Sequence, residues 1–220
     1  MTREQITNEC LAAIDSSKCL LTLLSTGIGK TKIAIDCINK ICDKVFRNEN
    51  TGTDVLIVVD KKVHIQNWKE EINKWGGIKT DNIEFCCYAS LHKYANSYWD
   101  ILVLDEAHHV GSEARLEVLK TINIAYNLIG LSATVSRDLK AWFKREYRTT
   151  IISCTTQDAI ESNILPDPTI YLMPLTLNNT QYTELYEINK KNDSPPIYGE
   201  YKDLWVLKRS KRHAFIKCTQ

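Results

Sequence analysis

The sequence predicts an α/β fold: a mostly parallel sheet with helices on both faces. Three observations lead there. Strand-like and helix-like runs alternate through the first 174 residues. The strand runs are short and apolar throughout, as strands buried on both faces are. The runs between them repeat apolar residues at helical spacing, which suits helices laid on a sheet. The chain has 220 residues. That is one such domain with a remainder, and too few for two α/β domains of about 150 residues or more.

Taken in order, residues 3–15 read as a helix with Ile6, Cys10, Leu11 and Ile14 on one stripe. Cys19–Leu24 is a continuous apolar run and the first strand. The stretch 30–46 repeats Ile33, Cys37, Ile38, Ile41 and Val45, a helical pattern. A polar turn at 48–53, containing Gly52, precedes a strand at 55–59. Residues 63–75 are amphipathic, with Ile65, Trp68, Ile72 and Trp75 at helical spacing. That spacing assigns Trp68 and Trp75 to the core, and Gly76-Gly77 stops the helix. Strands are expected at 83–88 and 101–104, a helix at 113–121 and a strand at 126–131. A helix at 138–147, a strand at 150–154, a short helix at 157–162 and a last strand at 169–172 complete the pattern. Beyond Pro174 the composition turns to Asn, Lys, Asp and Tyr. Residues 180–190 read as a solvated helix, and 191–203, with Ser194-Pro195-Pro196, as a linker. The expected division is 1–174 and 175–220.

Composition narrows the class. Hydrophobic residues make up 44% and charged residues 25%, close to the globular average, which excludes disordered and collagen-like chains. The net charge is +1, from 28 basic and 27 acidic residues. That leaves nucleic-acid binding open, because binding depends on where positive charge clusters. The cysteines number eight: Cys10, Cys19, Cys37, Cys42, Cys86, Cys87, Cys154 and Cys218. None forms a C-x-x-C pair, and most sit in apolar runs, so they are expected to be reduced core residues. The N-terminus is polar and no stretch reaches about 18 apolar residues. A signal peptide, a transmembrane span and a membrane partner are therefore not expected, and the location is expected to be cytoplasmic or otherwise intracellular.

The first strand runs into Ser25-Thr26-Gly27-Ile28-Gly29-Lys30-Thr31, and a helix follows. Strand, glycine-rich turn and helix N-terminus together are the context of a phosphate-binding loop. The glycines let backbone N–H groups turn toward one point, and the helix adds its positive dipole end. Lys30 can reach the β- and γ-phosphates of a nucleotide, and the Thr31 hydroxyl can ligate Mg2+. Leu24 stands where the usual pattern has its first glycine. Read alone, the segment is also compatible with a plain strand–turn–helix carrying a surface lysine.

A second strand ends in Asp105-Glu106-Ala107-His108. A carboxylate at the end of a central strand stands where the phosphate loop of a neighbouring strand opens. Asp105 is placed to hold Mg2+, and Glu106 to polarise an attacking water. A third strand ends in Ser132-Ala133-Thr134. Its hydroxyls are expected to hydrogen-bond the acidic pair and sense the γ-phosphate, although such a triplet alone is an ordinary turn former.

As an ordered set these residues resemble the first motor domain of superfamily-2 helicases and translocases, of the DEAD/DEAH-box and chromatin-remodeller type. Residues 24–31 resemble motif I, Asp105-Glu106-Ala107-His108 motif II and Ser132-Ala133-Thr134 motif III. Residues 58–68 resemble motif Ia, with Asp60 where a proline is common, and 88–94 resemble the next strand-contacting motif. Arg3 and Gln5 resemble the adenine-reading element, with one residue fewer between them than usual. Val135 replaces a proline that often follows motif III.

The resemblance implies a RecA-like P-loop NTPase fold, and a nucleotide site for ATP and Mg2+. That site is built from Arg3, Gln5, Ser25, Thr26, Gly27, Ile28, Gly29, Lys30 and Thr31. Lys30, Asp105 and Glu106 are its catalytic residues, Thr31 and Asp105 its metal ligands, and Ser132 and Thr134 its coupling residues. It also implies nucleic acid, with DNA favoured over RNA, lying across the strand ends. The candidate contacts are Lys61, Lys62, His64, Gln66, Ser90, His92 and Lys93. His109 reads as a surface or capping residue, and Arg137 as a surface residue.

The basic run Lys208-Arg209-Ser210-Lys211-Arg212-His213 reads either as a nucleic-acid or localisation patch or as the solvated face of a helix. The resemblance implies that 175–220 begins a bridge to a second RecA-like motor domain, which would supply arginines to the γ-phosphate. The chain alone is then expected to bind ATP and to unwind nothing. The alternative is a non-catalytic module that binds ATP and nucleic acid, or regulates, without turnover. A third reading is an ATPase whose partner is not nucleic acid.

Overall fold

The computed structural model describes residues 2–49, 52–80 and 82–167. The apolar runs become six strands: β1 (Cys19–Leu24), β2 (Val55–Val59), β3 (Ile83–Cys87), β4 (Tyr98–Asp105), β5 (Asn123–Ser132) and β6 (Thr150–Cys154). They form one sheet in the order β3-β2-β4-β5-β1-β6, and every pairing is parallel. The helices are α1 (Arg3–Ser16), α2 (Lys30–Glu49), α3 (Lys62–Lys74), α4 (Glu113–Thr121), α5 (Arg137–Tyr147) and α6 (Thr156–Glu161).

The sheet divides the interior into two cores. Successive residues of a strand point to opposite faces, and the central strands are apolar at both sets of positions. Leu20, Leu24, Ile57, Val103 and Ile129 pack on one face with Ile6 and Cys10 of α1, Ile35 and Ile38 of α2, and Trp68 and Ile72 of α3. Leu21, Leu56, Leu102, Leu104 and Leu128 pack on the other with Leu119 of α4 and Leu139, Trp142 and Phe143 of α5. The expected fold, a RecA-like parallel sheet covered on both faces, is the one observed.

Several local details depart from expectation. β3 stops at Cys87 because Tyr88–Tyr94 turns into a 3-10 helix, and a second 3-10 helix spans Ala107–Gly111. β4 and β5 start earlier than expected. Their first residues, Tyr98 and Asn123, are exposed and pair with one another rather than with the core, so no apolar run marks them. Trp75 is not a core residue. It is 43% exposed, its indole N–H donates to Glu71 Oε2 at 2.7 Å, and the Lys32 and Lys74 ammonium groups lie over its ring. Helical spacing puts Trp75 on the buried stripe, but it lies just past α3, where the chain turns away at Gly76-Gly77.

α1 starts with a reciprocal capping box between Thr2 and Gln5. The seven described cysteines are free thiols, and six of them are buried. Burial pushes Cys10, Cys19 and Cys86 up to about 12. Among the described residues, no helix is long and apolar enough to cross a membrane. The first compact unit of the chain is Met1–Pro166. The expected strand at 169–172, the helix at 180–190, the linker, the basic run at 208–213 and Cys218 lie outside the described residues, as does the boundary expected at 174.

Candidate functional site

Because every strand runs the same way, their C-terminal ends share one edge of the sheet, where α/β folds place ligands. β1 ends there at Leu24, β4 at Asp105 and β5 at Ser132. β1 and β4 are not neighbours, contrary to expectation. β5 lies between them, so the Ser132 strand separates the loop strand from the acidic strand.

The loop after β1 is fastened on its outer side. Ser25 N–H donates to the Cys154 carbonyl at 3.2 Å, and the Ser25 hydroxyl pairs with that of Thr156 at 2.8 Å. Ile28 is buried. Gly27 and Gly29 have φ of +90° and +105°, values that L side chains rarely adopt, and a Cβ on Gly27 would stand 3.1 Å from Leu165 Cδ2. Lys30, at the start of α2, curls back over this turn. Its ammonium donates to the Leu24 carbonyl at 3.2 Å and lies 3.7 Å from Glu106 Oε1.

Adjacent residues of an ideal strand face opposite sides, yet Asp105 and Glu106 line the same cleft. The backbone explains this: Glu106 is left-handed, with φ 51° and ψ 57°. Burial pushes the Asp105 carboxyl above the usual range. The Trp68 indole N–H opposes this by donating to Oδ2 at 2.9 Å, and the negative Glu106 adds to the rise. Glu106 Oε2 lies 3.3 Å from His108 Nδ1.

Ser132 is buried, and its hydroxyl donates to the Thr134 carbonyl at 2.7 Å. His108 Nδ1 lies 3.0 Å from the same hydroxyl oxygen. That oxygen has already given its proton to Thr134, so the histidine is the donor. The expected direct link from Ser132 to the acidic pair is therefore replaced by a relay, Ser132–His108–Glu106–Lys30. Thr134 enters it through its carbonyl. His109 is not a bare surface residue either. Its ring lies against His108 and Tyr88, and its Nε2 is 3.6 Å from Asp60 Oδ1. Arg137 is exposed, as expected.

The cleft has a volume of about 350 Å3. Of the expected nucleotide residues it gathers Thr26, Gly27, Gly29, Lys30, Thr31, Asp105 and Glu106. It does not gather Arg3, Gln5, Ser25 or Ile28. Arg3 reaches the rim, where its guanidinium donates to the carbonyls of Gly27 at 3.3 Å and Ile164 at 3.2 Å. The Gln5 side chain is engaged in the α1 cap, where its carbonyl oxygen accepts from Thr2 N–H. The wall opposite the loop is α3, which contributes His64, Asn67, Trp68 and Glu71. Sequence reasoning missed this wall for Asn67, Trp68 and Glu71. Their i, i+1, i+4 spacing carries the signal of one helix face but does not say what that face meets.

The other side of α3 lines a second hollow, a groove of about 380 Å3. Lys62, Gln66, Ser90 and Lys93, four of the expected nucleic-acid contacts, share it with Ile65, Phe85, Cys86, Cys87 and Tyr94. His64 is not in it, and faces the phosphate-loop cleft instead. Lys61 is exposed beside Asp60, at 3.9 Å. His92 is exposed, with Nδ1 3.2 Å from the Ala89 carbonyl.

Residues 2–137 match the family described as type III restriction enzyme, res subunit. No curated protein matches the chain. Among solved structures, the fold resembles the Sulfolobus solfataricus SWI2/SNF2 ATPase core in complex with dsDNA. The TM-score is 0.51 at 17% identity, over 95% of this chain and 56% of that one. It also resembles the Pyrococcus furiosus Hef helicase domain, with a TM-score of 0.55 at 15% identity, over 95% of this chain and 51% of that one. The chain spans about half the length of each.

Proposed function

The chain belongs to the type III restriction enzyme res-subunit family and carries the RecA-like domain of superfamily-2 helicases, and on that premise we propose that it binds and hydrolyses Mg-ATP as the first half of a nucleic-acid motor. One observation carries the reading. Lys30 and Thr31, which follow β1, and Asp105 and Glu106, at the end of β4, are set by two strands that are not adjacent, yet line a single cleft at the C-terminal edge of the sheet.

The donor set fits the substrate. The Lys30 ammonium rests against the Leu24 carbonyl and Glu106, a pairing that the β- and γ-phosphates would displace or share. The N-terminus of α2 favours the same negative charge. A hydroxyl and a carboxylate, Thr31 and Asp105, supply hard oxygen ligands of the kind Mg2+ takes. Bound Mg2+ would neutralise charge developing on the phosphates. Glu106 polarises the water that attacks the γ-phosphorus, while Lys30 and His108 hold its carboxylate in place. His108 passes the state of Glu106 to Ser132, and so to the segment after β5. Arg3 braces the phosphate loop through the Gly27 carbonyl.

The groove beyond α3 takes the nucleic-acid backbone. Lys62 and Lys93 supply charge, and Gln66 and Ser90 supply polar contacts that position a strand without reading its sequence. Lys61 flanks it. The dsDNA held by the similarly folded SWI2/SNF2 core supports DNA as the ligand. α3 walls both hollows, so occupancy of one bears on the other. A second RecA-like domain completes the motor and brings arginines to the cleft.

The test is ATP hydrolysis with and without duplex DNA, in wild type and Lys30→Ala. The reading expects DNA-stimulated turnover that Lys30→Ala removes. Hydrolysis unchanged by that substitution would refute it.

A further inference from the structure

Trp68 belongs to the apolar face of α3 and is 2% exposed. Its ring packs in the core between α3 and the sheet, among apolar side chains. An indole differs from a hydrocarbon by one N–H, and a buried N–H needs an acceptor. Here the acceptor is Asp105 Oδ2, at 2.9 Å. The bond crosses from α3, which follows β2, to the end of the adjoining strand β4. Asp105 is also steadied from the other core, where the Tyr88 hydroxyl donates to its carbonyl at 3.0 Å. Backbone and carboxylate of one residue are thus fixed by two buried aromatic groups from opposite faces of the sheet.

We propose that Trp68 is a positioning residue: its N–H occupies Asp105 Oδ2, fixes the carboxylate and leaves Oδ1 as the oxygen offered to the metal. The proposal rests on Asp105 being a Mg2+ ligand, as the functional reading has it. It assigns to a residue of the core a part in metal binding without any contact to the metal. Partners of this kind govern affinity because a ligand free to rotate must be ordered on binding. The bond also ties α3 to β4, so the helix that walls both hollows is held in register with the acidic strand.

The experiment titrates Mg2+ into the full chain at fixed ATP, reading nucleotide binding by calorimetry, and repeats the ATP titration in EDTA. Trp68→Phe keeps the buried ring and removes the N–H. Trp68→His restores a ring N–H in a smaller frame. Melting curves identify variants that have lost the fold. In Trp68→Phe the Mg2+ concentration at half-maximal binding is expected to rise about 10–100-fold. The metal-free ATP affinity is expected to stay within about two-fold, and Trp68→His to recover part of the loss. An unchanged Mg2+ midpoint in a folded Trp68→Phe would overturn the proposal. So would an equal loss with and without the metal, the mark of a purely structural role. Should Trp68→Phe not fold, a wild-type midpoint in Trp68→Ile, which has no N–H, overturns it and a raised one supports it. A wild type without any Mg2+-dependent ATP binding would sink the functional reading itself, and this proposal with it.

Discussion

Replacing Gly130 by alanine should destabilise the domain and loosen the nucleotide cleft together. Gly130 lies in β5, paired with Leu21 of β1 on one side and Leu104 of β4 on the other. A Cβ there would stand 2.8 Å from Leu21 Cδ1 and 3.5 Å from the Ala107 Cβ. Carbon atoms in favourable contact are about 3.5–4.0 Å apart, so the new methyl overlaps Leu21 by roughly 1 Å. Leu21 is 0% exposed and has no solvent side into which to turn. Overpacking of this kind costs about 1–3 kcal/mol. Removing a strand glycine returns about 0.5–1 kcal/mol through the backbone. With the middle of each range, the net expectation is a loss of about 1 kcal/mol, or about 2–4 °C in melting temperature for a chain of this size. Ala107 follows Glu106, so any shift it makes moves the acidic pair, and ATP affinity should fall as well. Scanning calorimetry reads the first effect and ATP titration the second. Adding Leu21→Ala removes the atom that clashes, so the double variant should be less destabilised than the sum of the singles by about 1 kcal/mol or more. A Gly130→Ala melting temperature within about 1 °C of wild type, or strict additivity of the pair, would refute the reasoning.

Other consequences follow from the same geometry. Glu106→Gln keeps the side-chain shape and removes the carboxylate; turnover should drop about 10²–10⁴-fold with ATP affinity within a few-fold, checked by single-turnover hydrolysis beside binding. Lys62→Ala and Lys93→Ala should each weaken DNA binding and lower the salt slope by about 1, whereas His92→Ala should leave the slope as it is, measured by fluorescence anisotropy over a salt series. Asp15 is held below the usual carboxylate range, chiefly by its hydrogen bond from Lys40 at 2.6 Å. A depressed folded pKa means stability that is present above the unfolded value of about 4 and lost as pH falls through the lower folded one. The stability gap between wild type and Asp15→Asn should therefore close on going from neutral pH to below about pH 4, read by urea unfolding; a gap independent of pH would contradict it. Under native conditions a thiol reagent should modify Cys87, the half-buried one among the described cysteines, well before the other six, which are buried, as mass spectrometry of the labelled peptides would show.

Much of the site was legible because its information is local. Ser25 to Thr31 carry the loop in their own order: a strand end, two glycines, a lysine and a helix start. Asp105-Glu106 is legible in the same way, at the end of an apolar run. The groove was half legible. The chain's own lysines and polar residues at 61–66 and 90–93 mark it, but His64 belongs to the other hollow. Adjacent positions on a helix point about 100° apart, and nothing local says which direction meets which cleft.

What the sequence by itself determined is the order of the strands and α-helices along the chain and which residues stand at the strand ends, since apolar periodicity and glycine placement act over a few residues. Only the tertiary structure decided that β5 lies between the loop strand and the acidic strand, and that Ser132 reaches Glu106 through His108. It alone showed that Trp68 holds Asp105 while Trp75 lies in solvent. These are pairings between residues tens of positions apart. Periodicity tells which face of an element is buried, but the partner of each polar atom on that face is fixed only when strand order and packing bring distant segments together.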